Sequence, residues 1–215
     1  MRAIRTLLIV VVVLGGLFVA ADRAAVYFAE NKAADKIRSS QNLSGTPDVS
    51  IKGFPFLTQL ADSKLDEVDV SLNGGVTAGT GDGHAVRVSS FDAQLHGVEI
   101  DSSFSSAVAD RASGTAHLDY ADLGRALGPG VSMSYAGDGK VKAGMLGFTT
   151  TSTLSVAHGD AIRMDASRMP LLSGKVDMER KITGLPRGIK LDKVTATEKG
   201  VDITLGGTDV RLAGH

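Results

Sequence analysis

Apolar and polar residues follow two different periods along this chain, first a helical period and then a strict alternation. An unbroken apolar run extends from Leu7 to Ala21, directly after Arg2 and Arg5. From Ala24 to Asn42 the apolar residues fall three or four positions apart, which predicts an amphipathic helix. This helix is expected either to pack one stripe on a sheet or to lie on a membrane surface.

After Pro47 the period becomes two, which predicts half-buried strands. Val68, Val70 and Leu72 alternate with acidic and hydroxyl residues. The same alternation recurs in the segments 86–95, 131–135, 141–145, 150–156, 162–164 and 194–205. Glycine-containing turns at 137–139 and 159–160 indicate antiparallel hairpins. A slip of phase at Ser89-Ser90 predicts a bulge or bend in that strand.

Short helices and one clear hairpin complete the predicted elements. A helix is expected from Tyr120 to Leu127 behind Asp119 as N-cap, and a further short helix from Ser103 to Ala109. The last hairpin is expected to turn at 197–200 with Gly200 in the left-handed conformation. One long helix followed by an antiparallel meander predicts the α+β class, with a single domain at 22–215 behind residues 1–21.

The N-terminal pattern predicts the compartment. Two arginines followed by a 15-residue apolar run are typical of an export signal. If this signal is not cleaved, residues 7–21 are a transmembrane anchor that holds the domain on the outer face of the cytoplasmic membrane. We therefore expect an exported protein of the cell envelope.

Charge and motif content argue against several classes of function. The 215 residues include 23 basic and 24 acidic side chains, a net charge of −1, which predicts no nucleic-acid partner. There is no Cys, and the five histidines have no metal-ligand spacing. No phosphate loop and no nucleophile motif occurs. The sequence thus predicts a non-enzymatic protein with no metal and no cofactor.

The most unusual local feature is apolar. Gly53-Phe54-Pro55-Phe56-Leu57 places two aromatic rings around a proline, which cannot sit inside a central strand. This segment either inserts Phe54 or Phe56 into the core or lines the mouth of an apolar cavity. Methionines in or beside the strands, such as Met145 and Met164, fit irregular partners such as acyl chains but also fill ordinary cores.

Two segments carry a resemblance to a known family. The block Gly53-Phe54-Pro55-Phe56-Leu57-Thr58-Gln59 followed by Val68-Asp69-Val70, and the C-terminal stretch from Leu185 to Leu212, resemble the actinobacterial LmeA-like family, long described as a domain of unknown function. The resemblance implies an exported phospholipid-binding protein linked to lipomannan and envelope maintenance. It also implies a long helix packed along a strongly curved antiparallel sheet, as in tubular lipid-binding proteins of the bactericidal/permeability-increasing type. Without a lipobox Cys, attachment falls to residues 7–21 or to the domain surface.

Together these observations predict a lipid-binding or lipid-transfer domain that holds phospholipid acyl chains in an apolar groove between helix and curved sheet. The candidate lining residues, chosen for size and position, are Phe54, Phe56, Leu57, Phe91, Met145, Phe148, Met164 and Leu172. One alternative is a structural module that supports an envelope glycolipid-synthesis enzyme without binding lipid. Another is an envelope hydrolase, which requires a His within hydrogen-bond reach of a carboxylate in a cleft.

Overall fold

A computed structural model of the chain describes residues 2–40, 45–79, 85–101, 106–127, 130–145, 147–166, 176–183 and 185–213. The helices are α1 (Arg2–Ser40), α2 (Phe56–Ala61) and α3 (Tyr120–Leu127). The strands are β1 (Asp48–Lys52), β2 (Lys64–Gly79), β3 (Ala85–Ile100), β4 (Ser106–Asp119), β5 (Val131–Gly137), β6 (Lys140–Met145), β7 (Phe148–Ala157), β8 (Ala161–Ala166), β9 (Val176–Lys181), β10 (Arg187–Ala196) and β11 (Gly200–Ala213). The class is therefore α+β.

A single helix, α1, contains both the apolar run and the amphipathic segment. Residues 2–21 are exposed, whereas Asp22 is fully buried and Val26 and Ala34 belong to the core. By length and composition, α1 is sufficient to cross a membrane. The amphipathic half packs on a sheet, because its apolar stripe meets the inward side chains of β1 and β2.

The strands form two antiparallel sheets, and neither closes into a barrel. The first sheet has the order β1-β2-β3-β4-β11-β10, and the second has the order β5-β6-β7-β8-β9. The sequence predicted one sheet. The structure has two because β11 pairs with β4 along its whole length, from Gly200 opposite Asp119 to Ala213 opposite Ser106. The C-terminal hairpin therefore returns to the first sheet.

Two local predictions need correction on the first sheet. The helix predicted at Ser103–Ala109 is wrong for the described residues from Ser106 onward, because these residues begin β4. This strand pairs with β3 on one side and β11 on the other, and the pairing overrides local helix propensity. The irregularity expected at Ser89-Ser90 is present as a bulge, but its extra residue is on β2. There Gly74 has φ +104°, a value that favours glycine.

The C-terminal hairpin forms as predicted, but Gly200 has a different role. The turn is closed by a hydrogen bond from Thr197 N to the Gly200 carbonyl oxygen, at 2.8 Å. Gly200 does not have a positive φ, so the expected left-handed conformation is wrong. A Cβ at this position would collide with the Leu118 carbonyl oxygen on β4 and come within 3.0 Å of the His117 ring. Glycine is needed for close strand packing, not for the turn.

Two apolar clusters pack against one face of the first sheet. We call the first the helix cluster; it consists of Val26, Ala34, Val49, Ile51, Phe56, Leu65, Val68, Leu95, Val98, Ala109, Ala112 and Val210. The second, the inter-sheet cluster, has Leu118, Val141, Leu191, Val194, Ala196, Val201, Ile203 and Leu205 at its buried centre. Ile189 packs against both clusters. Phe91 and Leu95 are four residues apart on β3, so both clusters share one sheet face.

Candidate functional site

The block around Gly53 is a joint between β1, α2 and β2. Gly53 has φ +94°, and a Cβ there would collide with the side-chain amide of Gln59. The buried Gln59 side chain donates from Nε2 to the Lys52 carbonyl oxygen (3.3 Å) and accepts from Asp66 N at Oε1 (2.8 Å). The Gln59 amide therefore connects the end of β1 to the start of β2 through these two hydrogen bonds.

The same block also connects α1 to the first sheet, by one hydrogen bond and by apolar packing. Asp22 is fully buried, and its Oδ1 accepts a hydrogen bond from Leu57 N at 2.9 Å. Phe56 is only 2% exposed within the helix cluster, and Leu57 packs against that cluster. Phe54, by contrast, is 58% exposed, with the Arg23 guanidinium 5.3 Å from its ring centroid. Of these three candidates, the structure places two in the core and leaves Phe54 at the surface.

The remaining candidates do not form one set. Phe91 and Met164 come together in the inter-sheet cluster, where both are half-buried. Phe148, at the start of β7, is exposed. The side chain of Met145 and all of Leu172 lie outside the described residues. The structure therefore brings Phe91 and Met164 together on the inter-sheet face, and Phe56 and Leu57 together under α1.

The apolar surface where the two sheets meet is incompletely buried. Around the eight buried residues of the inter-sheet cluster, the described chain places fourteen half-buried apolar side chains, contributed by both sheets, by α3 and by the segment between β9 and β10. They are Val88, Phe91, Ala116, Tyr120, Leu123, Met133, Tyr135, Leu154, Val156, Ile162, Met164, Ile182, Leu185 and Ile189. Burial of apolar surface gains about 25 cal/mol of free energy per square ångström, so an apolar ligand that covers these side chains is stabilised.

Small residues line the inner face of β4. These residues, which we call the β4 floor, are Ala107, Ala109, Ala112, Gly114 and Ala116. Ala116 lies between Phe91 on β3 and Ile203 on β11. A Cβ on Gly114 would lie 3.5 Å from Phe91 Cε2, so the Phe91 ring covers that glycine. The β4 floor extends beneath both clusters.

Two buried hydroxyl groups adjoin the inter-sheet cluster on β7. Thr150 is 8% exposed and Ser152 is 2% exposed, and neither side-chain oxygen has a hydrogen-bond partner. Ser152 is directly opposite Val141, a fully buried member of the cluster. A buried hydroxyl without a partner costs roughly 1–3 kcal/mol. The inner face of the second sheet therefore presents unsatisfied polar groups beside its apolar surface.

The opposite, outer face of the first sheet is polar. It carries a concavity of about 380 Å³, lined by Asp69, Ser71, Asp92, Ala93, Gln94, Ser113, Gly114, Thr115 and Thr204. Ser71 Oγ donates to Asp92 Oδ1 at 2.8 Å, and Lys52 pairs with Asp69 at 3.4 Å. With two carboxylates and no large apolar side chain, this concavity does not match an acyl chain.

A histidine–carboxylate pair occurs on the first sheet. His117 Nδ1 lies 2.6 Å from Asp202 Oδ1, and His117 Nε2 lies 3.6 Å from Asp119 Oδ1. Both ring nitrogens therefore face carboxylates. The Ser89 hydroxyl group donates to Asp119 Oδ2 at 2.6 Å. This geometry resembles cross-strand pairing more than a nucleophile with its base. Among the described residues, no three or more His, Cys, Asp or Glu side chains are arranged so that they could hold a metal ion.

Most of the apolar surface between the sheets was not predicted from the sequence. Met133, Tyr135, Leu154, Val156 and Ile162 were recognised as inward strand residues but not as members of one surface. Their alternation was the available signal. The β4 floor was missed because the first part of this strand was expected to be helical.

These features define an α+β protein with an apolar N-terminal helix and an apolar face shared between two sheets. A family model described as LmeA-like phospholipid-binding matches residues 20–206, and the chain belongs to this family. A search of curated proteins found no match, and neither did a search of solved structures.

Proposed function

We propose that this protein binds phospholipid with its acyl chains between the two sheets, over the part of the β4 floor near Ala116. The family membership supports phospholipid as the ligand. The observation that carries the placement is the inter-sheet cluster, where fourteen described apolar side chains remain half-buried. Phe91 and Met164 contact the acyl chains in this proposal. Phe54, Phe148, Met145 and Leu172 are not needed for it.

The energetics of such a site are sufficient without a charged clamp. Removing ten methylene groups from water gains about 8 kcal/mol at roughly 0.8 kcal/mol each. Before the cost of ordering the ligand, that corresponds to a dissociation constant of about 1 μM. An acyl chain does not require close shape matching, and the flexible Met133 and Met164 side chains adapt to it.

The polar end of the lipid belongs at Thr150 and Ser152 in this proposal. Their hydroxyl groups are buried and unpartnered, and the ester oxygens of a phospholipid accept hydrogen bonds. An ester beside β7 therefore satisfies donors that the protein leaves free. This arrangement points the acyl chains from β7 across the inter-sheet cluster.

We also propose where the protein lies and how it acts. Residues 1–21 are a signal or anchor and 22–215 are the lipid-binding domain, on the outer face of the cytoplasmic membrane. The protein carries or transfers lipid without chemical change, and it requires neither nucleic acid nor cofactor. A sheet curved around α1, as in tubular lipid-binding proteins, is part of the proposal; the bulge at Gly74 and the left-handed Gly97 (φ +61°) support it.

The test is phospholipid retention, measured by native mass spectrometry of the full chain released from detergent micelles. We expect bound phospholipid on the wild-type protein and a several-fold lower bound fraction on Thr150→Val, which removes one hydroxyl at nearly constant volume. Wild-type protein without phospholipid contradicts the proposed function. Equal retention by Thr150→Val contradicts only the placement of the ester.

A further inference from the structure

The exposed apolar part of α1 and the folded domain are joined without a linker. Residues 2–21 extend about 30 Å at 1.5 Å per residue, which equals the hydrocarbon thickness of a bilayer. The next residue, Asp22, is fully buried in the domain and hydrogen-bonded to Leu57 N. The domain therefore begins at the position where the hydrocarbon core ends.

Aromatic side chains are exposed at this junction. Tyr27 and Phe28 are 69% and 67% exposed, although they lie on a helix whose other face is packed. They follow Asp22 by about 8 Å along the helix axis, a depth similar to that of the headgroup layer. Phe54 is exposed under the Arg23 guanidinium, at the level of Asp22. Aromatic rings at this depth are typical of membrane–water interfaces.

The same end of the domain contains α2 and the loop before it. Leu57 contacts Asp22, and α2 connects the end of β1 to the start of β2. Ile100 N donates to the Ser63 carbonyl oxygen just after α2, so the end of β3 is also here. The α3 end of the domain is opposite, because α3 follows the far end of β4.

We propose that this end of the domain docks on the leaflet from which α1 emerges, with Phe54, Tyr27 and Phe28 at headgroup depth. The inference rests on the part of the proposed function that keeps residues 2–21 as an anchor. The occupant of this surface is the lipid bilayer itself, since the exposed aromatic rings lie within two helical turns of the apolar residues 2–21, in or beside the same continuous helix. Docking fixes the orientation of the domain and places the α1 end of the β4 floor next to the membrane.

The test uses the absence of tryptophan from the chain. Phe54→Trp and Phe28→Trp each give one fluorophore at the proposed surface. Phe148→Trp is the matched control, because Phe148 is also exposed but lies at the other end of the domain, near α3. Phe148 pairs with Met145, Met145 pairs with Val131, and the Val131 carbonyl oxygen lies beside Gly124 of α3. The full chain is reconstituted in phosphatidylcholine nanodiscs that carry bromine either near the headgroup or near the terminal methyl group.

We expect Phe54→Trp and Phe28→Trp to emit at shorter wavelength and to lose most emission with headgroup-proximal bromine, but less with terminal bromine. Phe148→Trp is expected to keep its emission with both lipids. Solvent-like, unquenched emission from Phe54→Trp overturns the proposal, and so does quenching of Phe148→Trp to the same extent. A shorter emission wavelength without quenching indicates a protein contact and also overturns it. Phospholipid retention, measured separately, does not depend on these outcomes.

Discussion

The substitution Ala116→Phe is expected to reduce phospholipid binding by roughly 100-fold. Ala116 is half-buried on the β4 floor between Phe91 and Ile203, facing the inter-sheet cluster. A phenyl ring there occupies the volume of about four methylene groups, worth about 3 kcal/mol of binding at 0.8 kcal/mol each. The measurement is a titration with a fluorescent acyl-chain probe, together with native mass spectrometry of retained phospholipid.

The neighbouring residue provides the matched control for this substitution. Thr115 adjoins Ala116 on β4 but points to the outer face, where it lines the polar concavity. Thr115→Phe adds the same ring on the opposite side of the sheet, so probe affinity is expected to remain within about twofold of wild type. Overpacking costs roughly 1–3 kcal/mol, so a thermal melt accompanies each variant. A folded Ala116→Phe protein with wild-type affinity contradicts the site.

Phe56→Ala is expected to lower the free energy of unfolding by about 3–5 kcal/mol. Phe56 is 2% exposed and packs in the helix cluster among residues of α1 and the first sheet. Its removal leaves a cavity at the joint between α1, α2 and β2. The measurement is chemical denaturation of the full chain in detergent, followed by circular dichroism.

Phe54→Ala is the control for this second prediction. The side chain is two residues away and of the same type, but it is 58% exposed. Phe54→Ala is expected to lower the free energy of unfolding by less than about 1 kcal/mol, since only the contact with Arg23 is removed. Equal destabilisation by the two substitutions would contradict the placement of Phe56 in the core and of Phe54 at the surface.

Much of the fold was predictable because most of its elements are marked by local periodicity. The alternations in β2 and β11 and the helical spacing of α1 appear directly in the sequence. The division into two sheets was not predictable, because it depends on the pairing of β11 with β4, which are about ninety residues apart. The role of Gly200 was not predictable for the same reason, since the contact that requires glycine comes from Leu118 on another strand.

The candidate site was predictable only in part. Phe91 and Met164 were selected for size, and the fold brings them together. Phe56 was selected for the same reason, but the joint with α1 buries it. Size and apolar character do not distinguish a core residue from a lining residue; only the packing partners do. The residues of the β4 floor were missed because alanine and glycine carry little signal until the strand and its neighbours are known.

The most direct measurement is photocrosslinking of the full chain in nanodiscs with a phospholipid that carries a diazirine near the end of one acyl chain. Crosslinks on residues 2–21 are the internal positive control. We expect a second set of crosslinks on the inter-sheet cluster, including Phe91, Met164 and Ala116, and the loss of this set in Ala116→Phe. Crosslinks confined to residues 2–21, or located on the outer face at Thr115 and Thr204, would contradict this expectation.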